Sequence, residues 1–335
     1  MKHLVFFGSD EIALPCLEHI LAAHSTLFSL TAVFSQPDRP SGRGQKLLPN
    51  AIVSWAHRHS IPVFQPQRLD ESTPDALRKL GCAAALVMAY GQLFKRPLLD
   101  TPPLGFFNLH ASLLPLLRGA SPIEGAIAGR FPATGVSLQR IIPRLDAGPI
   151  VDSEHIPLSP NETRASLREK IAAACLPLID RALPRIAAAD APGAPQDETA
   201  ATFTRKITRE DSAADFHASA QDIAARVRAL SPWPGVTFPW HNVLLKIGAA
   251  TAEPFSENTP AAPPGTLLSA DATGLRIATS DGTLRILELQ RPAGKMLPTA
   301  AFLSGFPMQT GTVIESRPMP PLTRRSDDPP FTLSF

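Results

Sequence analysis

The chain has only three cysteines in 335 residues, Cys16, Cys82 and Cys175. They are too far apart for a disulfide framework or a Cys-x-x-Cys metal pair, which points to a reducing compartment and to small core residues. Long apolar runs are missing as well. The opening MKHLVFFGSDEIALP carries one Lys and is broken at Gly8, Ser9, Asp10 and Glu11, too short for a secretory or membrane-spanning segment, so it reads as a first strand. Nor is there an excess of either charge: the net charge is +2, with 19% charged and 44% hydrophobic residues, the balance of an ordinary soluble protein. GxxxxGK[ST] and GxGxxG are both absent, and only Gly8 stands at the first turn, which weighs against a P-loop enzyme or a nicotinamide dehydrogenase. Proline is plentiful at 36, concentrated at 184–195, 254–264 and 318–330, which read as linkers and a tail. No internal repeat is present.

At this length two domains are expected. Short apolar runs at 3–8, 29–36, 61–65, 84–90 and 105–110 alternate with helical patterns such as 48–59 and 73–80. That alternation predicts an α/β fold with a doubly wound, mostly parallel sheet, closed by a strand at 135–142 and a helix over about 162–187. Pro49 is placed in the first turn of the second helix, and Ser9-Asp10 before the first. Beyond a small, Pro-rich stretch come a helix at 219–230 and strands at 243–247, 265–269, 274–279, 283–290 and 311–315, the pattern of a small β-barrel. The boundaries read as 1–188, a linker 189–207, a barrel 208–316 and a loose tail 317–335.

Asn108 and His110, two apart on a strand, point to one side, and at its carboxyl end they face the crevice where open α/β sheets bind ligands. Such a pair can polarise a carbonyl and handle a proton, or equally cap a loop. Asp146, in a tight Asp-Ala-Gly-Pro turn, is more often an Asx-turn residue, although a carboxylate near an imidazole steadies its cationic form. The loop 35–49 carries Arg39, Arg43 and Lys46, with glycines flanking Arg43; it suits an anionic partner or serves as a solvated connection. His57 and His59 do not share a helix face and are not assigned a metal. His3, His19, His24, His155, His217 and His241 stand singly and are assigned no chemistry. Trp233 and Trp240, in SPWPGVTFPW, are placed in the barrel core rather than against bases.

Taken together, FFGSDEIA, SQPDRPSGRGQKL, MAYGQ, NLHASLLPLLRGASPI and LDAGPI, with the later QDETAATFTRKI, SPWPG and LQRPAGKM, resemble the methionyl-tRNA formyltransferase family over about 3–315. The resemblance implies a Rossmann-like, formyltransferase-type domain followed by an OB-like β-barrel that holds tRNA. It implies transfer of a formyl group from 10-formyltetrahydrofolate to the amino group of initiator methionyl-tRNA, in the cytoplasm, by a monomer without metal or membrane attachment. By motif, Asn108, His110 and Asp146 are catalytic. Asn108 and protonated His110 are the oxyanion donors; whether His110 or Asp146 is the base stays open. Folate contacts fall on Ser112, Leu113, Leu114 and Pro115 and on Met88, Ala89, Tyr90 and Gly91, and tRNA contacts on Arg39, Arg43 and Lys46. The sequence departs from the family at Leu116 and Leu117, where a basic and an aromatic residue are usual, and at Gln45. Residues 201–335 hold 13 Lys or Arg against 12 Asp or Glu, a surplus of only +1, so RNA binding there needs a local basic face. An amino-sugar nucleotide as acceptor and a non-catalytic RNA-binding protein are the competing readings.

Overall fold

The central strand follows from Leu4, Val5, Phe6 and Phe7, an unbroken apolar run that suits a strand covered on both faces. In the computed structural model, which describes residues 1–41, 46–255, 261–325 and 327–328, Lys2–Gly8 (β1) lies in the middle of a seven-stranded sheet. Its alternate residues serve two cores. Leu4 and Phe6 join the cluster with helices Leu14–Ala23 (α1) and Arg164–Ala187 (α5), while Val5 and Phe7 join one that includes Leu77 of Ser72–Lys79 (α3).

The other strands are Phe28–Phe34 (β2), Val63–Phe64 (β3), Cys82–Met88 (β4), Phe106–His110 (β5), Ala133–Arg140 (β6) and Ile150–Pro157 (β7). Their order is β7-β6-β5-β4-β1-β2-β3. Five are parallel and the last two antiparallel, so the chain turns outward from β1 in both directions and leaves a crevice at the carboxyl ends of β1 and β4. There Gly8 pairs with Met88; a Cβ on it would meet the Met88 carbonyl oxygen at 2.6 Å. Helix Ala51–Arg58 (α2) begins one residue after Asn50, whose Oδ1 accepts from the N–H groups of Ile52 and Val53, each at 3.1 Å. Asn50 is therefore the cap, and Pro49 stays outside the helix. Thr163 and Ser166 close a reciprocal cap on α5.

The second half is built on an antiparallel sheet of Val236–Trp240 (β8), Val243–Glu253 (β9), Leu267–Asp271 (β10), Gly274–Ala278 (β11) and Thr283–Gln290 (β12), in the order β8-β9-β12-β11-β10. Ala220–Leu230 (α6) packs against this sheet and against Pro122–Ala128 (α4) of the first half. The strand expected at 311–315 is reduced to one bridge, Val313 to Thr266, because Gly311 and its turn interrupt the extended run. Part of the segment expected as a loose tail is held, while residues 326 and 329–335 lie outside the described residues. Thr323–Arg325 pairs antiparallel with Thr202–Thr204, which lies parallel to Arg118–Gly119. The segment expected as a bare linker is likewise fixed, with Ala194 bridged to Ile150 and Thr202–Thr204 in that small sheet.

A buried ion cluster holds this region. Asp211 is wholly buried, its carboxylate accepting from Arg205, from the Thr208 N–H at 2.7 Å and from Arg226 at 3.3 Å. Arg226 also donates to the Pro320 carbonyl at 3.0 Å, and Arg205 to that of Pro321 at 3.1 Å.

Candidate active site

On β5, Asn108 and His110 share a face because they are two residues apart. The antiparallel register places Gln139 of β6 opposite Asn108, and Ser137 opposite His110. The turn Asp146-Ala147-Gly148 connects β6 to β7 and brings its carboxylate back over that face. Gly148 is required there, since a Cβ would lie 1.7 Å from the Arg140 carbonyl oxygen.

His110 is 6% exposed, and its Nε2 lies 2.9 Å from the Leu117 carbonyl oxygen, which can only accept. Nε2 therefore carries a proton, leaving Nδ1 to face the Asp146 carboxylate at 3.8 Å. That separation is too long for a direct hydrogen bond and close enough for a charge on one ring to be felt by the other group. Both carboxylate oxygens of Asp146 are held. Gln139 Nε2 donates to Oδ1 at 3.0 Å, and the Gly119 N–H to Oδ2 at 2.8 Å. Gln139 Oε1 accepts from the Gly148 N–H at 3.1 Å, so one buried amide fixes both ends of the turn. Gln196 adds two bonds, to the carbonyls of Asp146 at 2.9 Å and Gly148 at 2.7 Å.

Arg118, 1% exposed, secures Gln196 in turn, donating to its Oε1 at 2.7 and 3.0 Å and to both carboxylate oxygens of Glu198 at 3.0 Å. Hydrogen bonds from Arg118 and Arg144 hold the Glu198 carboxyl down to about 2. The Arg-Gly of the sequence motif is thus part of the support for Asp146.

Asn108, His110, Gly119, Gln139 and Asp146 line a cavity of about 650 Å³, within the range of small-molecule sites. Asn108, His110 and Asp146 stand on its wall with Met88, Ala89, Tyr90 and Gly91. Burial pushes the Tyr90 phenol up to about 12, and its hydroxyl has no hydrogen-bond partner among the described residues. Ser112, Leu113, Leu114 and Pro115 do not line the cavity. Ser112 is fully buried, with its hydroxyl donating to the Leu116 carbonyl at 2.6 Å, and the Ser137 hydroxyl accepts from the Leu114 N–H; these four residues shape the turn that aims the Leu117 carbonyl. Leu117 itself is buried, so its side chain serves packing.

Several wall residues were not singled out from the sequence. Arg164 and Arg168, one helical turn apart on α5, reach the cavity, Arg164 pairing with Glu124 at 2.6 Å and Arg168 with Asp10. Their i, i+4 spacing was the available signal. Trp233, expected in the barrel core, is instead 52% exposed and lines the cavity with Lys206 and Ile207, because the proline-flanked turn carries it away from the sheet; Trp240 is buried as expected. Arg39 is exposed on Arg39–Ser41 and does not line the cavity, and Lys46 begins the pairing strand Lys46–Leu48. Arg43 lies outside the described residues. The base of this loop is tied to the cavity rim by Gln36, which donates to the Tyr90 carbonyl at 2.9 Å.

The doubly wound sheet, with a cavity at its crevice and a second half built on an antiparallel sheet, is of the formyltransferase class, as the family models show. The profile described as "Formyl transferase" matches residues 1–183, and that for "Formyl transferase, C-terminal domain" matches 206–307. The methionyl-tRNA formyltransferase of Herminiimonas arsenicoxydans is 38% identical over 316 residues, covering 91% of this chain and 98% of that protein. That of Roseiflexus castenholzii is 39% identical over 310 residues, covering 92% and 97%. In fold the chain is similar to the N-formyltransferase from Helicobacter canadensis solved in complex with folinic acid and dTDP-3-aminofucose: TM-score 0.64, 18% identity, 85% of this chain and 99% of that one. The chain belongs to the methionyl-tRNA formyltransferase family.

Proposed function

We propose that the chain transfers the formyl group of 10-formyltetrahydrofolate to the amino group of initiator methionyl-tRNA, using Asn108, His110 and Asp146. The observation that carries the reading is the meeting of these three groups on one cavity wall. The cavity's chemistry fits a folate: Met88 to Gly91 and Ile141 offer an apolar strip, and Arg164 and Arg168 offer cations for the carboxylate end. A folate bound there supplies the one-carbon unit.

Asn108 is half-buried on the wall and directs a side-chain amide donor at the oxygen on which negative charge grows during the transfer. His110 presents a lone pair at Nδ1, because Nε2–H is committed to Leu117. It therefore accepts the proton that the attacking amine loses, and the Asp146 carboxylate stabilises the imidazolium so formed. The proton-bearing Nδ1 is then a donor toward the leaving nitrogen. Asp146, with both oxygens occupied by donors, is the electrostatic partner rather than the base.

The test is transfer of labelled formyl from the folate to charged initiator tRNA by purified protein. Transfer only to amino-sugar nucleotides would replace the acceptor, and no formyl consumption with any acceptor would defeat the reading. Gln139→Leu removes the amide that holds Asp146 and the Gly148 N–H; kcat should fall by about ten- to a hundredfold with little change in KM for the folate. Unaltered kcat would show that the turn keeps its position without Gln139. For the tRNA contacts assigned to Arg39, Arg43 and Lys46, Arg39→Ala and Arg43→Ala should each raise KM for charged tRNA several-fold at low salt, with a shallower salt dependence than the wild type, and leave KM for the folate unchanged. A normal KM for tRNA in both variants would reduce the loop to a connection.

A further inference from the structure

We propose that His19, His24 and Asp180 form a binding site for a divalent transition-metal ion of the zinc type, between α1 and α5 and apart from the formyl-transfer cavity. His19 lies in the last part of α1, His24 closes that helix, and Asp180 faces them from α5. The Nε2 atoms of His19 and His24 lie 2.6 and 2.8 Å from the same carboxylate oxygen, Asp180 Oδ1. The three potential ligand atoms lie within 4.8 Å of one another, the sole such group of three among the described residues. The rings are 5.7 Å apart at 73°, so their nitrogen edges converge on the carboxylate rather than stacking on each other.

The chemistry selects the ion. Two imidazole nitrogens and one carboxylate oxygen suit zinc, cobalt or nickel, whereas magnesium and calcium call for an all-oxygen set. Zinc holds such ligands at about 2.0–2.2 Å. A small rotation of the two rings, with each proton moved from Nε2 to Nδ1, opens a position between them for the ion. His24 is 6% exposed and its backbone is locked, its N–H donating to the Ile20 carbonyl at 3.0 Å and its carbonyl accepting from Leu27 and Phe28 at 3.0 Å each. One ligand is therefore set before the ion arrives. Asp180 is half-exposed, so water completes the coordination. The site stands at the opposite end of α1 from Asp10, which lines the cavity; the helix has ten residues, a span of roughly 15 Å at 1.5 Å per residue. The ion would bridge α1 to α5 and act on stability rather than on transfer.

The experiment titrates the full chain, stripped with chelator, with Co²⁺, following the visible absorption of the bound ion and its displacement by Zn²⁺. The wild type should take up one equivalent with a tetrahedral-type spectrum, and Zn²⁺ should raise its Tm. Asp180→Asn keeps the size and the acceptor oxygen but not the charge, and His19→Ala alters a side chain at the surface; each should weaken binding at least tenfold and abolish the Zn²⁺-dependent rise in Tm. His24→Gln tests the buried ligand, with its own Tm without metal as the check on folding. His59→Ala, whose ring lies 3.3 Å from Glu18 and has its centroid 4.6 Å from that of the Trp55 ring, should bind like the wild type. No uptake by the wild type, or equal affinity in Asp180→Asn and His19→Ala, would overturn the assignment.

Discussion

His110→Ala should lower kcat for formyl transfer by about a thousandfold while KM for the folate donor stays within a factor of about two. The ring is held at one nitrogen by the Leu117 carbonyl and meets a fixed carboxylate at 3.8 Å from the other, so its loss removes both the proton acceptor and the charge that Asp146 is set to stabilise. The alanine variant also leaves the buried Leu117 carbonyl without its donor, at a cost of about 1–3 kcal/mol of stability. His110→Gln, which keeps a donor for that carbonyl, should recover Tm and not turnover. Asp146→Asn should lose comparable activity for a different reason: an amide cannot steady a cation, and its NH₂ would confront the Gln139 or Gly119 donor. Wild-type turnover in His110→Ala, at saturating concentrations of both substrates, would remove the imidazole from the chemistry.

Asp211→Asn should destabilise the protein by about 3–5 kcal/mol, because it removes the buried negative charge that the guanidinium groups of Arg205 and Arg226 both face. Burial pulls Arg226 down to about 10 even with the carboxylate present. Burial alone would raise the Asp211 carboxyl, but the hydrogen bonds from Arg205 and the Thr208 N–H, with the charges of Arg205 and Arg226, outweigh it and hold the group below its ordinary value. A depressed carboxylate contributes stability above the unfolded value, near 3.8, and loses it as pH falls through the folded value. Denaturant unfolding at a series of pH values should therefore show the wild-type advantage intact near neutrality and shrinking below about pH 4. An advantage independent of pH would mean that Asp211 acts through its shape rather than its charge.

Much of the sheet is legible in the sequence because buried parallel strands are plain apolar runs: β1, β2, β4 and β5 all announce themselves in this way. β7 is not, since IVDSEHIP is an edge strand with one face to solvent and three ionisable residues in it. β8 is hidden by Pro239, which ordinarily argues against a strand and is tolerated here at the edge of the second sheet. In the site, spacing alone places Asn108 and His110 on one strand face and leaves loop capping equally open; the family motif is needed to join them to Asp146, because nothing local shows which strand its turn folds back upon. Gln139 is not marked by any motif, and Arg118, Gln196 and Glu198 fall inside quoted motifs without their supporting roles being legible there. Their partners lie up to 80 residues away, and a lone Gln or Arg carries no local mark of such a bond. Ser112 to Pro115, conspicuous as a motif, stand outside the cavity lining and shape the turn before Leu117.

The pairing of Thr323–Arg325 with Thr202–Thr204, and of that strand with Arg118–Gly119, has a consequence for the order of events in synthesis. The loop whose N–H steadies the Asp146 carboxylate is flanked by a ribbon whose outermost member is translated some 200 residues later. A growing polypeptide can assemble the large sheet early, yet the loop beside Asp146 lacks its outer brace until Thr323–Arg325 has left the ribosome. Proteolytic nicking near residue 320 would undo that brace at a site some 200 residues along the chain from the loop it supports.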